Sequence, residues 1–134
     1  PNDLNYHCAV SDKNEIIKLY FEKEQSPLTT SKSDYAKKHF NHEIKEKKIE
    51  AFSLDEIINR GRFKNSKIDF LDIDVEGADL KVLQGLSFDK YKPTLICIEI
   101  HDKDILQSNI YKFLTSQNYE LIWSGNLSYI FKRL

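Results

Sequence analysis

Two places in the chain gather groups able to move protons. The first is the end of an apolar run, "KIDFLDIDVEG" at residues 67 to 77, which carries Asp72, Asp74 and Glu76. The second is the end of "TLICIEI", residues 94 to 100, where Glu99 is followed closely by His101. Carboxylates beside a Glu/His pair suit proton transfer from a hydroxyl or coordination of a hard divalent cation such as Mg2+. Asp74 and Glu76 are the candidate catalytic acids; Asp74, Glu99 and His101 are the candidate metal ligands. Each group also has a plainer use. Glu76 or Asp79 can face the positive N-terminus of the following helix. Asp72, on the same side of the strand as Asp74 by its period of two, can form an ion pair. A single histidine is commonly a surface or core residue. Asp74 lies within the strand run, where an idle carboxylate is costly to bury.

These groups need elements to position them. "LNYHCAV", residues 4 to 10, reads as a strand, and residues 11 to 14 (Ser11, Asp12, Lys13, Asn14) have turn chemistry. "EIIKLYFE", residues 15 to 22, is a second strand, rich in β-branched and aromatic residues. Residues 24 to 34 are polar and loop-like. Residues 35 to 48, "YAKKHFNHEIKEKK", read as a short helix or surface segment with a solvated basic face. "IEAFSL" is extended and "SLDEIINR" helical, with Ser53 as N-cap, Glu56 completing a capping box and Gly61 ending the helix.

Residues 67 to 75 form a near-continuous apolar strand of the type buried on both faces of a parallel sheet. Gly77 leads into a helix carrying Leu80, Val82, Leu83 and Leu86. Pro93 introduces the second apolar strand. A helix over about 103 to 117 places Leu106, Ile110, Phe113 and Leu114 on one face, and Asn118 stops it. "YELIWS" and "LSYIFKRL" form a hairpin turning at Gly125-Asn126. This alternation predicts an α/β fold, a single domain with a mainly parallel sheet and an antiparallel C-terminal pair. Successive parallel strands are usually neighbours, and open α/β sheets bind ligands beyond the carboxyl ends of their strands. Asp74, Glu76, Glu99 and His101 are therefore expected to face one crevice.

Bulk composition narrows the function. The 134 residues suffice for one domain, and 40% hydrophobic content supports a packed core. Twenty basic side chains against 21 acidic ones give a net charge of -1, which offers no electrostatic basis for binding nucleic acid or an anionic membrane. No apolar run is long enough to span a bilayer. Cys8 and Cys97 lie in apolar runs, read as small buried hydrophobes, and suggest a reducing, cytoplasmic setting. Neither a G-x-S-x-G elbow nor a P-loop is present. Asp72-Ile-Asp74 is a D-x-D pair of the sort found in metal-dependent glycosyltransferases, a weak pattern by itself.

The ordered set "SLDEIINR", "KIDFLDIDVEGADLKVLQGL", "YKPTLICIEI", "IYKFLTSQNYELI" and "LSYIFKRL" resembles the FkbM family of S-adenosylmethionine-dependent methyltransferases. "NYHCAVSDKNEIIKLYF" resembles the segment that precedes this set in the family, and the likeness runs from about residue 3 to the end. The resemblance implies a Rossmann-like sheet and an O-methyltransferase acting on a sugar, polysaccharide or natural-product hydroxyl. It implies that Ser11 and Asp12 meet the adenine of S-adenosylmethionine and that Asp74 and Glu76 face the methyl acceptor. A non-catalytic, methyltransferase-like interaction module is the alternative.

The family's cofactor-binding glycine turn is not found. The four glycines, Gly61, Gly77, Gly85 and Gly125, form no G-x-G, and the chain starts at Pro1 with no methionine anywhere. This predicts a C-terminal portion of a longer enzyme, preceded by roughly 60 further residues in two βαβ units. The apolar edge at residues 68 to 75 is then expected to be covered by a homodimer, by the missing N-terminal segment, or by docking of the 4 to 22 hairpin region.

Overall fold

The structure is a computed structural model describing residues 3–23 and 29–134. Its contacts divide the chain into two compact units, Pro1–Asn65 with Val75–Leu86, and Ser66–Asp74 with Ser87–Leu134. Among the described residues no helix is long and apolar enough to cross a membrane.

The first unit is built on a three-stranded sheet of β1 (Ala9–Ser11), β2 (Glu15–Phe21) and β3 (Lys45–Ser53), in the order β1-β3-β2. β2 and β3 run antiparallel from Glu15 opposite Ala51 to Phe21 opposite Lys45. Lys18 Nζ meets Glu46 Oε1 across this pair at 2.9 Å. That pairing draws residues 45 to 48 into β3, although their lysines and glutamates read as helical; strand partners override a weak local preference. The helix expected there shrinks to α1 (Ser33–His39). The strand expected over 4 to 10 also contracts, to the three residues of β1 that pair with β3. Residues 24 to 28 of the predicted 24 to 34 loop lie outside the described residues; Thr30 forms an isolated bridge to Tyr20.

α2 (Leu54–Arg60) starts as its sequence demands, with the Ser53 hydroxyl accepting from the Glu56 N–H at 3.2 Å. The reciprocal half of the capping box does not form. The Glu56 carboxylate turns to Arg60 Nε at 2.7 Å, and Asn14 Oδ1 takes the Ser53 N–H instead. α3 (Asp79–Gln84) buries Val82 and Leu83. Its end abuts β1 so closely that a Cβ on Gly85 would collide with the Ser11 carbonyl oxygen. Only glycine permits that approach.

The second unit is a four-stranded sheet with β4 (Phe70–Ile73), β5 (Leu95–Glu99), β6 (Tyr119–Ser124) and β7 (Ser128–Arg133), ordered β4-β5-β7-β6. α4 (Asn109–Ser116) follows a 3-10 turn at Ile105–Gln107. The single helix expected over 103 to 117 is broken at Ser108, whose buried hydroxyl caps α4 by accepting from Ile110 N–H at 3.2 Å. Asn118 ends the helix in the left-handed region, at φ 63°. The Gly125 N–H donates to Ser128 O and closes the final hairpin at the predicted turn. Phe131, Ile96, Ile98 and Leu114 are fully buried, each contributing about 1.5–3 kcal/mol by removal from water. Phe88 meets Phe113 and Tyr119 edge-on, at 5.5 and 5.7 Å.

The class is α/β, but the sheets are not mainly parallel. β1 with β3 and β4 with β5 pair in parallel, whereas β2–β3, β5–β7 and β6–β7 are antiparallel. The apolar run at 67 to 75 contributes only four strand residues, because β4 pairs along one side alone, with β5.

Candidate functional site

The first unit organises a loop around Glu76. Glu76 sits at φ 50° and Gly77 at φ 88°. Glycine adopts such angles freely, while a glutamate held there is strained by about 1 kcal/mol or more. Asp79, 2% exposed, holds the loop in place. Its Oδ1 accepts from Val75 N–H at 3.3 Å and its Oδ2 from Gly77 N–H at 3.0 Å. Thr30, 1% exposed, donates its hydroxyl to the Glu76 carbonyl oxygen at 3.0 Å and accepts from Lys32 N–H at 3.2 Å.

Among the described residues, the half-buried Glu76 side chain has one firm partner. The Tyr35 hydroxyl donates to Glu76 Oε2 at 3.0 Å, and the Tyr35 ring stacks on His39 with centroids 4.2 Å apart. Neither Tyr35 nor Thr30 was legible as a site residue, since each is more than 40 positions from Glu76 and belongs to no motif. Asp79 could have been foreseen only as a helix-facing acid; its grip on two backbone N–H groups is a tertiary fact.

The second sequence-predicted site residue of the first unit is the Ser11–Asp12 turn. Ser11 is buried, and its hydroxyl lies 3.0 Å from Asp12 Oδ1 and 2.9 Å from Glu15 Oε1. The Ser11 hydrogen bond is the main cause holding the Asp12 carboxyl below the usual range. Asp12 is thereby kept as an ionised acceptor, suited to an amino or hydroxyl donor.

In the second unit, β4 and β5 are parallel neighbours, as expected. One residue beyond their last registered pair, Ile73 with Ile98, come Asp74 and Glu99. Asp74 is exposed at this strand end. His101 Nε2 lies 3.3 Å from Glu99 Oε2, forming the predicted Glu/His pair. Asp72 stands opposite Cys97 and accepts its thiol hydrogen bond. Burial, followed by that bond and the charges of Asp72 and Asp74, pushes the Cys97 thiol up. Burial raises Cys8 as well, and both thiols are free and half-buried, less enclosed than their apolar runs suggest. They remain protonated at neutral pH, which disfavours a nucleophilic role.

Among the described residues no group of three or more His, Cys, Asp or Glu is placed to hold a metal ion. Asp74, Glu99 and His101 thus supply a pair with an adjacent acid and not a ligand set. A cavity of about 590 Å3 in the second unit is lined by residues that include Phe88, Lys92, Tyr119 and Arg133, and by none of the predicted site residues.

Compared with known proteins, the family model described as the methyltransferase FkbM domain matches residues 1–121. No curated protein and no solved structure matches the chain.

Proposed function

The chain belongs to the FkbM methyltransferase family, and on that premise we propose that it serves an S-adenosylmethionine-dependent O-methyltransferase in which Glu76 accepts the proton of a sugar-like hydroxyl. The observation that carries this reading is the conformation of Glu76. A glutamate kept at positive φ by Asp79 and Thr30, with its carboxylate half-buried, is a strained residue whose local structure over-determines it. Such strain is concentrated where a side chain has a task.

The residues present suit the cofactor at its adenine end. Asp12, held ionised by Ser11, is an acceptor for the adenine amino group. When bound, S-adenosylmethionine supplies an electrophilic methyl group on a sulfonium. A sugar hydroxyl is a poor nucleophile while protonated, so a carboxylate that receives its proton as the new C–O bond forms lowers the barrier. Glu76 Oε1, to which no described residue donates, is the oxygen available for that proton. Asp74, the other acid that the resemblance assigns to the acceptor, is exposed at the end of β4. No step is assigned to a divalent cation, because among the described residues no ligand set for one is assembled.

Calorimetric titration with S-adenosylmethionine, followed by transfer of labelled methyl to a panel of oligosaccharides, tests the proposal. Saturable heat and a labelled product are expected, with Glu76→Gln slowing transfer by about 10²–10⁴-fold. A native protein that takes up no S-adenosylmethionine contradicts it.

A further inference from the structure

Glu76 does not stand alone, and the way it is held points to a residue that the family match does not identify. Its Oε2 is occupied by the Tyr35 hydroxyl at 3.0 Å. Among the described residues no donor meets its Oε1. The Tyr35 ring is itself fixed, lying 26° from the plane of His39 with centroids 4.2 Å apart. Both rings belong to α1, whose N-cap residue, Lys32, runs over Gly77: its Nζ would be 3.6 Å from a Cβ placed there. α1 therefore brings a phenol, with a ring stacked on it, to one strained carboxylate, and its N-cap lysine lies over the neighbouring Gly77.

We propose that Tyr35 is a positioning residue for methyl transfer: by holding Oε2, it fixes the carboxylate plane of Glu76 and turns Oε1 toward the acceptor hydroxyl. A carboxylate has two nearly equivalent oxygens and rotates freely about its last bond. One charge-assisted hydrogen bond on one oxygen removes that freedom and leaves the other to take the proton. The stack on His39 limits movement of the phenol, so the alignment exists before the acceptor arrives. Positioning of this kind acts on the transferring step more than on binding.

This inference rests on the reading of Glu76 as the proton acceptor, and the experiment separates the two. Methyl transfer from labelled S-adenosylmethionine to the oligosaccharide panel is measured in the full-length protein for wild type, Tyr35→Phe, Glu76→Gln and the double variant, alongside melting curves. Tyr35→Phe should lower kcat about tenfold, leave the acceptor KM within about twofold, and keep the melting temperature close to wild type. The double variant should be no slower than Glu76→Gln alone, since Tyr35 acts through Glu76. His39→Ala should lower kcat in the same direction by a smaller factor. An inactive Glu76→Gln with a fully active Tyr35→Phe overturns the inference and spares the role of Glu76. A fully active Glu76→Gln, or a wild type that transfers nothing, removes both. A Tyr35→Phe defect confined to KM or to melting temperature shows a merely structural contact and also overturns the inference.

Discussion

Asp79 reaches back two residues to Gly77, its Oδ2 accepting the Gly77 N–H at 3.0 Å, and so sets the turn that presents Glu76. Since the acid is buried and accepts from the Val75 and Gly77 N–H groups, removing it leaves those two donors without these acceptors. Asp79→Ala is expected to cost about 2–3 kcal/mol, read as a shift in the urea midpoint. Asp79→Asn, which preserves one acceptor oxygen, should fall between that variant and wild type.

Gly77 and Gly85 should respond differently to alanine. Gly77, at φ 88°, has ordinary contact room for a methyl, so Gly77→Ala meets backbone strain alone, about 1 kcal/mol. Gly85→Ala drives a methyl into the Ser11 carbonyl, which sits on a strand and cannot move aside. A loss of about 1–3 kcal/mol or more is expected there. Thermal melts of the two variants side by side provide the check, with Gly85→Ala ranked lower.

Acid stability should depend on Ser11. Its hydroxyl is the chief reason that Asp12 titrates below its ordinary value of 3.8. A carboxyl depressed in the folded state contributes stability that is present above pH 3.8 and is lost as pH falls through the lower folded value. Ser11→Ala raises the folded value, so acid unfolding followed by circular dichroism should begin at higher pH. S-adenosylmethionine affinity, if Asp12 binds the adenine amino group, should weaken about tenfold in Asp12→Asn.

Tyr119 provides the alkaline counterpart. Burial pushes its hydroxyl up from 10.0 to about 12, and the hydroxyl donates to Pro93 O at 2.7 Å. The neutral form is favoured by folding, so this contribution is complete below pH 10.0 and disappears as pH rises toward about 12. Phenolate absorbance should show one of the seven tyrosines ionising late, together with unfolding. Tyr119→Phe should abolish that late step and cost about 1–2 kcal/mol at neutral pH by leaving the Pro93 carbonyl without its donor.

β4 ends its sheet, and Phe70 on it is 53% exposed. An apolar edge strand with an unpaired side favours association between chains. Sedimentation velocity should show concentration-dependent self-association, weakened by Phe70→Lys. A single monomeric boundary at every concentration would count against it.

Local chemistry was enough to read much of this protein from its sequence: the Ser53 cap, the Gly125-Asn126 turn, the stop at Asn118, the two apolar strands and the D-V-E-G loop between strand and helix. These signals act over a few residues, through period, capping and turn geometry. The Glu99–His101 pair was legible for the same reason, being two positions apart at a strand end. Tertiary structure alone decided that Lys45 to Lys48 extend β3, that antiparallel pairs outnumber parallel ones, and that Asp72 is taken by Cys97. It also decided that Tyr35 and Thr30, distant in sequence, close on Glu76. A hydrogen-bond partner more than 40 residues away leaves no trace in local pattern, because it exists only after chain closure has brought two separately ordered segments together.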